Sequence, residues 1–204
     1  MSIAITEAIT TLAEAHRQFN LLPTEDETFF LEWQENLSEI SIAEKMALDQ
    51  LHRRYLYQRS EGTVILLLIS PLLAIAGFYD PPFKVRAEQS VQLTINDGEE
   101  ILQGRIDVLV LLNQLWVIVL ESKKTALSVW TALPQTLAYL MANPQPEKPS
   151  FAMMTNGDDI IFVKLIQQPQ GNYALSRVFA PLTAKQELYN CLQILKRIAK
   201  ISQD

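Results

Sequence analysis

Two carboxylates lie inside the most apolar segments of the chain: Asp107 interrupts the run RIDVLVLL, and Glu121 closes the run LWVIVL. An unpaired carboxylate in such surroundings is costly, so each needs a cation, a metal ion or several hydrogen-bond donors as its partner. Lys123 follows two residues after Glu121, which on a strand directs both to one face. Such a group can gather a divalent cation. It can equally form simple ion pairs, Glu121 with Lys123 at a strand end and Asp107 with Arg105. Other chemistries have less material. His16 and His52 stand isolated on predicted helices and are expected to be solvated, which leaves nothing for a zinc site or a histidine triad. The six glycines form neither a phosphate loop nor a dinucleotide fingerprint. Arg53, Arg54 and Arg59 make a small basic cluster, either a nucleic-acid contact or a solvated helix face.

The elements that must position these residues change character along the chain. Thr24 with Glu27 and Ser41 with Glu44 have the spacing of a capping box, and Ser60 is a third cap. They predict helices over 3–19, 25–37, 42–59 and 61–76, the last ended by Gly77. The run Thr63 to Tyr79 is too short for a comfortable membrane span and contains Ser70-Pro71, so it reads as a buried core helix. After Asp80-Pro81-Pro82 the period becomes two: Phe83, Val85 and Ala87, then Val91, Leu93 and Ile95. Asn96-Asp97-Gly98 signals a turn. Strands over 100–112 and 115–123 are so rich in Val, Leu and Ile that both their faces must be covered. A helix over 126–142 follows, then a hairpin about Asn156-Gly157, a short strand within 174–179 and an amphipathic helix over 184–201. This order of elements is that of an α/β sandwich. A two-residue turn at Asn113-Gln114 would set Asp107 opposite Leu120. A bulge, or a three-residue loop at Asn113 to Leu115, sets it opposite Glu121, so one of these is expected.

An acid on one core strand followed by Glu-x-Lys on the next resembles the PD-(D/E)XK nuclease superfamily, carried here by Asp107 in GRIDVLV and Glu121-Ser122-Lys123 in VIVLESKK. Gln135 and Tyr139 in PQTLAYL are similar to the Gln-x-x-x-Tyr element of RecB-like members. Glu61 in SEGTVILLL resembles the acid on the first core helix of N-terminal nuclease domains of type I restriction subunits. The position before Asp107 is Ile106 where the superfamily motif has proline.

The resemblance covers roughly 60–165 and implies a restriction-endonuclease-like three-layer sandwich with a central mixed sheet, taken here as a domain over 60–204 that ends in a C-terminal helix; the helices before it read as an N-terminal extension over 1–59, outside the resemblance. It implies a Mg²⁺-dependent DNA nuclease, with Mn²⁺ able to substitute. Asp107, Glu121 and Glu61 would serve the metal, directly or through water. Lys123 would act on the attacking water or the transition state, Gln135 would fix the lysine, and Tyr139 and Lys124 would meet the DNA. A homodimer is compatible with this reading. The alternative is a catalytically silent protein of the same fold that acts as a nucleic-acid-binding or regulatory module, because fold alone does not decide activity.

The bulk properties bound these readings. With 204 residues, 49% hydrophobic and 20% charged, the chain can bury a large core and is not of disordered composition. A formal net charge of −6 argues against a nonspecific nucleic-acid coat but not against an acidic metal site, where the cation reverses the local sign. One cysteine, Cys191, makes no internal disulfide, so a cytoplasmic, non-membrane protein is expected.

Overall fold

The computed structural model describes residues 2–33, 39–55, 61–95, 100–112, 115–122 and 127–203. Its spine is a long antiparallel pair, β3 (Phe83–Ile95) with β4 (Glu100–Leu112), matched from Phe83↔Leu112 to Ile95↔Glu100. On the other edge of β4 lie two strands in succession. β5 (Leu115–Ser122) pairs antiparallel with Val108 to Leu112, and β1 (Ser2–Ala4) pairs parallel with Ile101 to Gln103. From β5 the sheet continues through β6 (Ser150–Thr155), β7 (Ile160–Ile166), β8 (Gly171–Leu175) and β2 (Leu21–Pro23). The β5–β6 and β8–β2 pairs are parallel and the others along this path antiparallel, so the eight-stranded sheet is mixed.

Helices cover both faces. On one side α3 (Ile42–Tyr55), the helix 61–75 and α7 (Gln186–Ile201) enclose Leu48, Leu68, Leu72, Phe151, Phe162 and Leu195. On the other α1 (Ile5–Ala8), α2 (Leu12–Phe19) and α6 (Leu133–Met141) enclose Ile5, Leu102, Leu137, Tyr139, Ala152 and Met154. β6 shows why the sheet lies in the middle layer: all six residues are buried, with Phe151 and Met153 in one core and Ala152 and Met154 in the other. Each large side chain so buried contributes about 1.5–3 kcal/mol. The architecture is the three-layer, restriction-endonuclease-like α/β sandwich that the resemblance implies.

Several elements differ from expectation. The predicted helix over 3–19 is divided into β1, α1 and α2. Thr11 and Glu14 form a capping box at the start of α2, with Glu14 N–H donating to Thr11 Oγ1 at 3.2 Å and Thr11 N–H donating to Glu14 Oε2 at 2.8 Å. Within the helix expected over 25–37, Glu27–Trp33 is a 3₁₀ segment preceded by Asp26 accepting from the Thr28 amide, and the remainder of that expectation, 34–37, lies outside the described residues. The box at Ser41 and Glu44 forms as expected. The boundary expected near 59/60 and the turn at Asn96-Asp97-Gly98 lie outside the described residues.

The helix expected over 61–76 is present as α4 (Glu61–Val64), a π turn (Ile65–Ile69) and α5 (Ser70–Ile75). Pro71 offers no N–H and its ring crowds the preceding turn; the wider turn, with Ser70 N–H donating to the Ile65 carbonyl, absorbs this. Val64, Leu68, Ile69, Leu72 and Leu73 are fully buried, but Leu66 is 67% exposed, so burial does not extend all round. Gly77 ends the helix at φ +90°, where a β-carbon would be strained. Among the described residues no helix is long and apolar enough to cross a membrane.

Candidate active site

Asp107 sits where the β3–β4 pair changes hands. Leu102 and Ile106 of β4 belong to the core under α6, whereas Val108 and Val110 belong to the opposite core and Leu109 returns to the first. Regular period-two alternation would keep 106 and 108 together. In β3 the same exchange separates Phe83 from Val91, and between them Glu88 has φ +52° and, with Asp107, falls outside the recorded pairs. The kink leaves Asp107 half-buried, lining an open groove of about 510 Å³ together with Gln135 and Tyr139 of α6, Arg105, and Ser2 and Thr6 from the start of the chain.

α6 is locked to β4 beside this groove. The Gln135 side-chain amide donates to Tyr139 Oη at 2.5 Å, and Tyr139 Oη donates to the Arg105 carbonyl at 3.1 Å. Gly104 makes the approach possible. A β-carbon there would lie 2.6 Å from Tyr139 Cε1 and 2.9 Å from Ile5 Cδ1. The four-residue spacing of Gln135 and Tyr139 thus places them on one helical face, as expected. Tyr139 is only 1% exposed yet lines the groove.

The backbone brings the other strand alongside. The hairpin closes at Leu112↔Leu115, and a bulge between Val110 and Leu111, facing Trp116 to Ile118, accommodates one extra residue. Beyond it the register runs Val110↔Ile118, Leu109↔Val119 and Val108↔Leu120, the pair next to Asp107 in β4 and to Glu121 in β5. The expected bulge is present, and the three-residue loop is not. On its other edge Glu121 pairs with Met154 and Ser122 with Thr155. The side chain of Glu121 lies outside the described residues, as does that of Glu61, whose backbone begins α4. Lys123, Lys124 and Arg59 lie wholly outside them.

Among the described residues no three His, Cys, Asp or Glu side chains converge as a metal site. The donor types nevertheless fit a hard cation, because Asp107 is a half-buried carboxylate on an open polar groove and the neighbouring strand position carries a second carboxylate in sequence. Arg105 faces Glu88 at 3.7 Å, both side chains largely exposed. His16 is not simply solvated, since its Nε2 lies 2.9 Å from Tyr173 Oη.

Sequence reasoning missed Ser2, Thr6 and Gly104, and gave Arg105 only as an ion-pair partner for Asp107. The proximity of Ser2 and Thr6 depends on β1 pairing with β4 across about a hundred residues of chain, for which no local signal exists.

The likeness to a known family spans the region from the first residue of β3 to the first residue of β8. Residues 83–171 match the family described as the type I restriction enzyme R protein N terminus. The match includes Asp107, Glu121, Lys123, Gln135 and Tyr139 and agrees with the resemblance to N-terminal domains of type I restriction subunits. It leaves out Glu61 and everything before β3. This stretch of the chain is therefore similar to a restriction-enzyme-related domain. No curated protein gives a significant match to the chain.

Proposed function

We propose that this chain is a divalent-metal-dependent nuclease that hydrolyses phosphodiester bonds of DNA. The observation that carries the reading is the position of Asp107 at a kink in the matched restriction-enzyme region, in one groove with Gln135 and Tyr139. When bound, Mg²⁺ or Mn²⁺ would neutralise phosphate charge and lower the pKa of water. Asp107 and Glu121 would hold it as oxygen donors, with Glu61 behind a bound water. Lys123 would take or steer the proton of the attacking water, or offset negative charge in the transition state. Gln135 would restrain the lysine. Tyr139 holds α6 against the carbonyl of Arg105, two residues before Asp107, and so fixes where the carboxylate stands. Lys124 would meet the DNA backbone.

The test is incubation of the purified full chain with linear, circular and single-stranded DNA, with and without Mg²⁺ or Mn²⁺. Metal-dependent cleavage that chelation abolishes is the expected result. A chain that binds DNA and metal but cleaves none of these substrates would instead be a binding module.

A further inference from the structure

The polar face leading to Asp107 is built by two strands, one of which lies outside the family match. Gln103, Arg105 and Asp107 are alternate residues approaching the kink in β4, and Ser2, Ala4 and Thr6 are alternate residues of β1 and the turn into α1. The parallel register sets Ala4 beside Gln103. All six line the groove. The adjacent residues Ile3, Ile5, Leu102 and Ile106 pack into the core under α6, while Gln103, Arg105, Ser2 and Thr6 leave polar side chains on the groove. The face carries two hydroxyls, an amide and, among the described residues lining the groove, one cation, Arg105. The ion pair with Glu88 at 3.7 Å, with side chains 65% and 71% exposed, is of a kind worth little and is readily exchanged for a stronger anion. A guanidinium offers planar paired donors that match a phosphate.

We infer that Arg105, with Ser2 and Thr6, forms a subsite for the phosphodiester backbone of DNA that leads to Asp107, and that Glu88 competes with phosphate for the guanidinium. The inference rests on the nuclease reading above and adds the surface that holds the substrate. Contacts to phosphate carry no sequence information, so the subsite strengthens binding to all sequences alike.

Fluorescence anisotropy of a short labelled DNA duplex, titrated with the full chain in Ca²⁺ over a series of salt concentrations, tests it. Arg105→Ala should weaken binding by about tenfold for two unrelated sequences and lower the slope of log Kd against log salt by about one. Glu88→Gln should tighten binding a few-fold, and Ser2→Ala with Thr6→Ala should weaken it at unchanged salt slope. Because Arg105 and Glu88 are exposed, thermal melting of these variants should match the wild type. If the wild type binds the duplex and Arg105→Ala leaves both affinity and salt slope unchanged, the subsite is refuted while the nuclease reading stands. If the wild type binds no duplex, both fail.

Discussion

Gly104 decides how closely α6 approaches the strand that carries Asp107. Any β-carbon there would press on the Tyr139 ring and on Ile5, and both are fully packed, Tyr139 at 1% and Ile5 at 0% exposure. Gly104→Ala should therefore cost about 1–3 kcal/mol of stability in urea unfolding, the usual penalty of overpacking. It should also reduce cleavage, because the Tyr139 link to the Arg105 carbonyl lies two residues from Asp107. An alanine variant with unchanged midpoint would contradict the close packing described. The grouping of Asp107 with Gln135 and Tyr139 in one groove was legible in the sequence, since an acid inside an apolar run and a Gln-x-x-x-Tyr spacing are both local signals. Gly104 was not legible. Its importance arises from a ring on another element, 35 residues further along the chain.

At the scale of elements, the capping box of α2 shows what local reading can and cannot recover. Thr11-Leu12-Ala13-Glu14 has the required spacing, yet the apolar spacing of Ile3, Ile5, Ile9 and Leu12 reads as a continuous helix. The chain is divided because Ser2 to Ala4 are drawn into pairing with β4. Three-residue edge strands such as β1 and β2 have no pattern of their own to announce them. By contrast β3 to β7 were legible, because long Val- and Ile-rich runs separated by turn residues specify strands. The exchange of faces at Glu88 and Asp107 was not, because it preserves the period-two parity that a sequence displays. The box also makes a pH prediction. Hydrogen bonds from the Thr10 hydroxyl, the Thr10 amide and the Thr11 amide hold the exposed Glu14 carboxyl down to about 2 from its ordinary 4.5. A folded-state pKa below the unfolded one contributes stability that is present above the ordinary value and lost as pH falls through the folded value. Glu14→Gln should thus lower Tm at about pH 7, and the difference from wild type should shrink between roughly pH 4.5 and 2. A difference that stays constant through this range would show that the charge of Glu14 has no part in the cap.

The whole molecule places a restriction-enzyme-related region, residues 83–171, at the centre of a sheet whose margins come from elsewhere in the chain. β1 extends the edge of β4 where β5 has ended, and β2 closes the opposite side beside β8. The groove at Asp107 thereby acquires a wall from the first residues of the chain as well as a floor from the matched region. In the proposed reaction this groove would hold a metal through carboxylates and Lys123 would serve turnover, and these two capacities can be separated. Calorimetric Mn²⁺ titration of wild type, Asp107→Asn and Lys123→Met, run beside a plasmid-nicking assay on the same preparations, measures both. Asp107→Asn removes a charged oxygen donor at constant size and should lose metal binding and cleavage together. Lys123→Met removes a positive charge without adding a donor for a hard cation, so Mn²⁺ affinity should persist or rise while cleavage falls by about a hundredfold or more. Full cleavage by Lys123→Met, or a wild type that binds no Mn²⁺, would contradict the account.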